Sequence, residues 1–235
     1  MKRVLLKISG EALGGEKKLG ISPKEIKLIA KQIKEAYDLK IAKIGIVCGG
    51  GNFFRGRDAL EVGIERVDCD YMGMMGTILN SIALKNALNV IGCPTKVLSC
   101  LEVKDAIETY TKEKANEYLD SGFVVIYAGG LGKPYFSTDT ASLTRSVETN
   151  VKLVLMAKNG VDGVYDKDPR QFKDAKKIEK LTHKEILENK LEVMDLEAAK
   201  IADEFNIDIH LFDMDSDNAI TRAIKGEIFG TIITK

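Results

Sequence analysis

Short apolar runs alternate along the chain with segments whose apolar residues recur every three to four positions. The β-branched and aliphatic runs predict strands at residues 3–8, 41–48, 94–98, 123–127, 152–157, 207–212 and 229–233. The periodic segments predict helices at residues 23–38, 68–89, 112–120, 138–149, 182–189, 195–205 and 217–225. The helix at 23–38 has the clearest start, because Ser22 suits an N-cap and Pro23 suits the first helical position.

This alternation of strands and helices predicts an α/β fold. A mostly parallel sheet would be covered by helices on both faces, which is a three-layer αβα sandwich. We expect one domain over residues 1–235. Turn-rich sequence follows residue 157, so we divide that domain into an acceptor-side lobe, 1–157, and a nucleotide-side lobe, 158–235, of one continuous sheet.

The amino-acid composition argues against several classes of protein function. Lysine plus arginine equals aspartate plus glutamate at 35 each, which argues against a general nucleic-acid binder. The four cysteines form no Cys-x-x-Cys pair and there are only two histidines, so a zinc site is not expected. No run approaches the roughly 18 apolar residues that span a membrane. We therefore expect a cytoplasmic protein without membrane or nucleic-acid partners.

The first strand carries a lysine near its end, in Lys7-Ile8-Ser9-Gly10. A buried ammonium group is costly unless it has an anionic partner. Ser9 and Gly10 let the backbone turn close to a phosphate. Lys7 therefore indicates either a group that binds a transferring phosphoryl or, equally, a lysine on an edge strand that points to water.

Two glycine-rich turns follow other predicted strands. Gly49-Gly50-Gly51 exposes successive amides with Arg55 nearby, which favours anion binding over a flexible turn. Residues 129–140 lead into a predicted helix, whose N-terminus would present amides to an anion or would simply be capped. Asp139 in that segment would orient Lys7 or hold a magnesium ion.

Several common motifs are absent from the sequence. It has no Walker A motif, no dinucleotide-binding fingerprint and no nucleophile elbow. His183 begins a helix and His210 lies in an apolar strand, so both are interpreted as structural. The acidic start of the helix near Asp70 is explained by the helix dipole, and the Asp-Gly sequence at 162–163 by a hairpin-like surface turn.

The ordered set of these segments resembles the bacterial uridylate kinase family, a branch of the amino acid kinase superfamily. The resemblance covers nearly the whole chain. Its motifs are Lys-Ile-Ser-Gly-Glu-Ala-Leu at 7–13, Gly-Gly-Gly-Asn-Phe-Phe-Arg-Gly at 49–56, Asp-Tyr-Met-Gly-Met-Met-Gly-Thr at 70–77, Pro-Tyr-Phe-Ser-Thr-Asp-Thr at 134–140, Asn-Gly-Val-Asp-Gly-Val-Tyr-Asp-Lys-Asp-Pro at 159–169 and Met-Asp at 194–195.

The resemblance implies an amino acid kinase (carbamate kinase-like) fold and the transfer of the γ-phosphoryl of ATP to UMP in pyrimidine nucleotide biosynthesis. The residues it implies for catalysis are Lys7, Asp139 and, more weakly, Asp195. Those it implies for ATP are Lys7, Ile8, Ser9, Gly10, Gly51, Arg55, Asn159, Tyr165 and Asp168. Those it implies for UMP are Gly50, Asp70, Leu131, Gly132, Lys133, Pro134, Tyr135, Phe136, Ser137 and Thr138.

The resemblance also implies Mg²⁺ bound with ATP, a homohexamer, a GTP activator and a UTP inhibitor. No residue is assigned as a dedicated metal ligand. The loop that would take part in GTP activation consists of Gly15, Glu16, Lys17, Lys18, Leu19 and Gly20. Asn159-Gly160 departs from the Thr-Lys of many relatives, which leaves the purine contacts there open.

Two alternatives remain beside the uridylate kinase interpretation. Another kinase of the superfamily would act on a carboxylate or carbamate, and it should lack the motifs at 70–77 and 134–140. A non-catalytic nucleotide- or oxyanion-binding protein of the same fold would be free to lose Lys7 or Asp139, and this chain retains both.

Overall fold

The computed structural model describes residues 1–54, 63–167, 171–189, 191 and 193–235. Within these ranges lie eleven strands: β1 (Lys2–Ile8), β2 (Ala42–Cys48), β3 (Thr95–Ser99), β4 (Glu108–Thr109), β5 (Val124–Ala128), β6 (Leu153–Lys158), β7 (Val164–Tyr165), β8 (Lys177–Ile178), β9 (Lys180–Thr182), β10 (Asp208–Asp213) and β11 (Thr231–Thr234).

The same ranges contain eight α-helices. They are α1 (Gly10–Leu13), α2 (Pro23–Asp38), α3 (Arg66–Val90), α4 (Lys112–Asp120), α5 (Thr138–Glu148), α6 (His183–Asn189), α7 (Leu196–Phe205) and α8 (Ala219–Lys225). None of the described helices is long and apolar enough to cross a membrane.

Nine of the strands form one sheet in the order β4-β3-β5-β2-β1-β6-β10-β11-β9. The strand pairs from β4 to β10 are all parallel, and β11 pairs antiparallel with β10. The mostly parallel sheet expected from the sequence is therefore confirmed. β1 lies at its centre, between β2 and β6, which places the first strand where both of its edges are covered.

Each face of the sheet packs against its own helices. Val4, Leu6 and Ile8 of β1 belong to one core with α2, α3 and α8, whereas Leu5 belongs to the other core with α4, α5, α6 and α7. Successive strand residues point to opposite faces. Lys7 consequently lies on the same face as Leu5, the face that α5 covers.

The predicted long elements agree with the structure to within two or three residues at their ends, and 23–38 agrees at both ends. β7 and β8 pair antiparallel, with Val164 opposite Ile178 and Tyr165 opposite Lys177, so the Asp-Gly dipeptide at 162–163 precedes β7 and does not join the two strands.

Candidate active site

Four neighbouring parallel strands end at one edge of the sheet. β5, β2, β1 and β6 are adjacent in that order, and each is followed by a polar or glycine-rich turn. Ligands of open α/β sheets bind at the carboxyl ends of the strands. The sheet therefore gathers the turns after Ile8, Cys48, Ala128 and Lys158 into one candidate site.

An ionic cluster lies beneath this edge. Lys7 Nζ is 2.7 Å from Asp139 Oδ1, and Lys158 Nζ is 3.5 Å from Asp139 Oδ2. Lys7 and Asp139 are both buried. Because β1 is a central strand, the interpretation of Lys7 as an edge-strand lysine is wrong. Asp139 holds two lysines together at the ends of two adjacent strands.

The charges of this cluster depend on one another. Burial opposes ionisation of Asp139, but the ammonium groups of Lys7 and Lys158 outweigh it and hold the pKa of this carboxyl at about 2. Burial lowers the pKa of Lys158, an effect that Asp139 counters and Lys7 reinforces. The cluster thus carries two potential positive charges against one negative charge, which suits an anionic ligand.

The turns after β1 and β2 approach each other through glycines. A Cβ on Gly10 would lie 2.7 Å from the Gly49 carbonyl oxygen, and a Cβ on Gly50 would lie 2.3 Å from that of Gly73 in α3. Both distances are shorter than any real Cβ contact, so these positions require glycine. Their backbone amides can therefore lie close to a bound group.

A buried pair of amides fixes the second turn. Asn80 Nδ2 donates to the Gly49 carbonyl oxygen at 2.7 Å and to Asn52 Oδ1 at 2.7 Å. Asn52 Nδ2 in turn donates to the Gly20 carbonyl oxygen at 2.5 Å. Residues 15–20, which include a 3-10 turn at Gly15–Lys17, are thereby tied to the glycine-rich turn after β2.

The turn after β5, residues 129–137, has an unusual backbone. Gly129, Gly130, Gly132 and Tyr135 all have positive φ, between 56° and 73°. Glycine adopts this conformation freely, whereas it is uncommon for tyrosine. The Tyr135 amide donates to Asp70 Oδ2 at 2.7 Å, which ties this loop to α3.

The start of α5 is capped from both sides. Ser137 is the N-cap, and its Oγ accepts from the amides of Asp139 and Thr140 at 3.0 Å each. Asp195 accepts hydrogen bonds from Ser137 Oγ and from Thr140 Oγ1, the latter at 2.8 Å. It also caps α7 by accepting from the Ala198 amide at 2.9 Å. Asp195 therefore joins two helix starts beside the ionic cluster.

Two clefts open at this edge. One has a volume of about 160 Å³ and includes, among the residues predicted for UMP, Gly50, Asp70, Lys133, Phe136 and Thr138. The other has a volume of about 460 Å³ and includes Asp70, Tyr135, Phe136 and Ser137. Leu131, Gly132 and Pro134 line neither of these two clefts.

The structure describes most, but not all, of the residues predicted to bind ATP. Ile8, Ser9, Gly10 and Gly51 follow β1 and β2 at the shared edge. Asn159 directly follows Lys158, and its Nδ2 donates to both carboxylate oxygens of Asp215, at 2.8 and 3.0 Å. The Tyr165 hydroxyl donates to Asp162 Oδ1 at 2.8 Å. The two other residues predicted for ATP, Arg55 and Asp168, lie outside the described residues.

Comparison with known proteins bears directly on this arrangement. The model of the amino acid kinase family matches residues 2–213. The chain belongs to the amino acid kinase family.

Named relatives match nearly the whole chain. The uridylate kinase of Limosilactobacillus reuteri (strain DSM 20016) is 45% identical and that of Pediococcus pentosaceus 43%, each over 99% of this chain and 96% of the relative. The UMP kinase structure from Bacillus anthracis has a TM-score of 0.95 at 38% identity, covering 99% of this chain and 96% of its own. The UMP kinase structure from Ureaplasma parvum has a TM-score of 0.94 at 36% identity, covering 100% of this chain and 99% of its own. The amino acid kinase fold is confirmed.

Sequence reasoning missed Lys158 in this member of the amino acid kinase family. The residue ends an apolar strand and directly precedes Asn159-Gly160. The signal that was available is its likeness to Lys7, since each is a lysine that follows an apolar run near the carboxyl end of a strand. Only the pairing of β1 with β6 reveals that both lysines meet the same carboxylate.

Proposed function

We propose that this amino acid kinase family member transfers the γ-phosphoryl group of ATP to UMP, yielding ADP and UDP. The observation that carries the proposal is the cluster of Lys7, Asp139 and Lys158 at the edge where the glycine-rich turns meet. The relatives named as uridylate or UMP kinases match nearly the full chain and favour UMP over a carboxylate or carbamate acceptor.

Phosphoryl transfer from ATP to UMP requires the phosphate charges to be neutralised and the two substrates to be positioned. The phosphate of UMP is already an anionic nucleophile, so the protein need not supply a strong general base. Lys7 and Lys158 would stabilise the negative charge of the transferring phosphoryl group, and the amides of the glycine-rich turns would add to this. Asp139 would keep the two ammonium groups in place.

We assign the two substrates to opposite parts of the edge. UMP would occupy the cleft of about 160 Å³, where Asp70 and Thr138 face the same space as Gly50. ATP would lie with its phosphates over residues 7–10 and Gly51, and its purine toward the side of Asn159. In this arrangement UMP and the phosphates of ATP lie on the predicted lobe 1–157, and only the purine lies on the predicted lobe 158–235.

A magnesium ion fits this site as part of the ATP complex. Mg²⁺ retains several waters and binds through one or two carboxylates plus phosphate oxygens, so it does not require a protein cage. Among the described residues, no three His, Cys, Asp or Glu side chains lie close enough to form one. When bound, the ion would neutralise phosphate charge. Asp139 is the carboxylate nearest the phosphoryl-binding lysines.

Regulation and assembly belong to the proposal as well. Residues 15–20, through Asn52, contact the turn that would bind phosphate, and this connection supports a response to GTP there. UTP would compete for the acceptor cleft. An exposed apolar face on α3, made of Tyr71, Met72, Met75 and Leu79, supports self-association, which we propose leads to a homohexamer.

ADP release tests the activity. ATP and Mg²⁺ would be supplied with UMP, CMP, dUMP, AMP or GMP singly. We expect strong turnover with UMP, a loss of kcat of about 100-fold or more in Lys7→Ala and little change in the KM for UMP. Lys2→Ala, on the same strand but exposed, is the matched control and should behave as the wild type.

Two outcomes would contradict the proposal. Saturable nucleotide binding without turnover would instead support a non-catalytic binding protein of the same fold. If Lys7→Ala changes only the KM for UMP, Lys7 takes no part in the chemical step.

A further inference from the structure

Arg145 is a buried cation in α5 that the proposed chemistry does not use. Only 4% of the residue is exposed. Desolvating a guanidinium group is expensive, and an apolar residue of similar size often packs as well at such a position. The contacts of Arg145 therefore need an explanation beyond filling space.

The guanidinium group of Arg145 reaches the 129–137 loop. Nη2 donates to the Gly130 carbonyl oxygen at 3.2 Å and lies 2.7 Å from Cys100 Sγ. Nη1 pairs with Glu148, one turn further along α5. A planar fork can serve these directions at once, which a lysine ammonium cannot do with the same geometry.

An aromatic ring fixes the plane of this fork. The Arg145 guanidinium carbon lies 3.8 Å from the centroid of Tyr110, a distance typical of a cation–π contact. The Tyr110 hydroxyl donates to Glu148 Oε2 at 2.5 Å, so the ring and the counter-ion are themselves joined. Arg145 is held on its face and at one end, and the other end is presented to Gly130.

The 129–137 loop is rich in glycine, so contacts such as the one from Arg145 are needed to hold its conformation. Gly129, Gly130 and Gly132 have φ of 73°, 56° and 72°, and free glycines sample many other conformations. The Gly130 carbonyl oxygen is one of the loop's fixed points, together with the Gly129 amide, which donates to Thr77 Oγ1 at 2.9 Å. Gly130 also lines the smaller cleft.

We infer that Arg145 is a positioning residue for the acceptor nucleotide: it holds the 129–137 loop, through the Gly130 carbonyl oxygen, in the conformation that receives UMP. This inference rests on the proposed function for the identity of the ligand. The same helix that begins beside Asp139 thus supports the acceptor loop from its last turn.

Steady-state kinetics of Arg145→Lys test this role. Charge is retained and the fork is lost, so the KM for UMP should rise roughly 10- to 100-fold, as for a lost hydrogen bond to a charged group. The KM for ATP should stay within about twofold, and kcat should change less than the KM for UMP. Leu143→Ala is the matched control, because Leu143 lies on the same helix and packs in the core below the sheet's α5 face.

The two variants separate positioning from general stability. Leu143→Ala should lower the melting temperature and leave the KM for UMP near the wild-type value. Equal rises of the KM for UMP in both variants, or equal rises of the KM for UMP and for ATP in Arg145→Lys, would overturn the inference. Wild-type turnover with UMP tests the proposed function separately, so the two failures are distinguishable.

Amide hydrogen exchange of the wild type provides a measurement that needs no variant. If Arg145 pre-organises the loop, the Gly129 and Gly132 amides, which donate to Thr77 Oγ1 and to the Gly129 carbonyl oxygen, exchange slowly without UMP. Fast exchange of both in the free protein, with protection only after UMP is added, would show that the ligand orders the loop and would overturn the inference.

Discussion

Asp139 pairs with both Lys7 and Lys158, and the loss of its charge should be costly. Removing one partner of a buried ion pair leaves an uncompensated charge, so we expect Asp139→Asn to lower the free energy of unfolding by about 3–5 kcal/mol. Urea unfolding measures this change. Because the pKa of Asp139 lies at about 2, its contribution is present at neutral pH and is lost as pH falls from about 4 toward 2.

Asp120 provides the matched control for this prediction. It also bridges two cations, Arg3 at 2.6 Å and Lys43 at 2.7 Å, but it does so at the surface. Exposed ion pairs contribute little to the free energy of unfolding. Asp120→Asn should therefore change the unfolding free energy much less. If both variants lose equal stability, burial is not what makes the cluster important.

His183 should make the protein sensitive to mild acid. The side chain is fully buried. Burial lowers the pKa of His183 below its ordinary value of 6.5, so the unfolded chain binds the proton more readily. Stability is lost as pH falls through about 6.5, and His183→Phe should flatten the pH dependence of unfolding between pH 7 and 5. An unchanged slope would contradict this.

The chemistry of single residues was only partly predictable from the sequence. Lys7 stood out because a lysine at the end of an apolar strand needs a partner, and Asp139 was among its expected partners. Lys158 and Arg145 were not found, because their roles depend on which strand neighbours β1 and on where the loop carbonyl lies. Such contacts join distant parts of the chain, and local sequence patterns do not record them.

The glycines of the turn after β2 differ in what they permit. A Cβ on Gly50 would meet the Gly73 carbonyl oxygen at 2.3 Å, whereas among the residues that the structure describes a Cβ on Gly51 would meet only Glu11 Cγ, at 3.8 Å. Gly50→Ala should therefore force the turn away from α3 and lower the unfolding free energy by about 1–3 kcal/mol. Gly51→Ala should unfold like the wild type in urea. The reverse order of stability would contradict this packing.

Whole elements were easier to predict than single contacts, provided they were long. The helix at 23–38 was predicted at both ends because its N-cap and its periodicity agree. The strands β4, β7, β8 and β9 were not predicted, since each has only two or three residues. So few residues cannot show a periodicity, and these strands form because a partner strand is nearby.

The α3 face predicts how whole molecules associate. Tyr71, Met72, Met75 and Leu79 are each more than a third exposed on one helix. If this face is an interface, light scattering should give the wild type a mass of several times 25.9 kDa, and Met75→Glu should reduce it. Leu28→Glu, at an exposed leucine on α2, is the control. An unchanged mass in Met75→Glu would place any interface elsewhere.

The central position of β1 also has a consequence for how the chain is made. β1 is made before its second neighbour, β6, which begins at residue 153, and Asp139, the counter-ion of Lys7, lies more than half of the chain after Lys7. Until then one edge of an apolar strand is open and its lysine is unpaired. Such long-range pairing slows folding and exposes the nascent chain to aggregation. β1 therefore gains its second neighbour only when residues 153–158 have been made, and chaperones that shield nascent chains should improve the yield of folded protein.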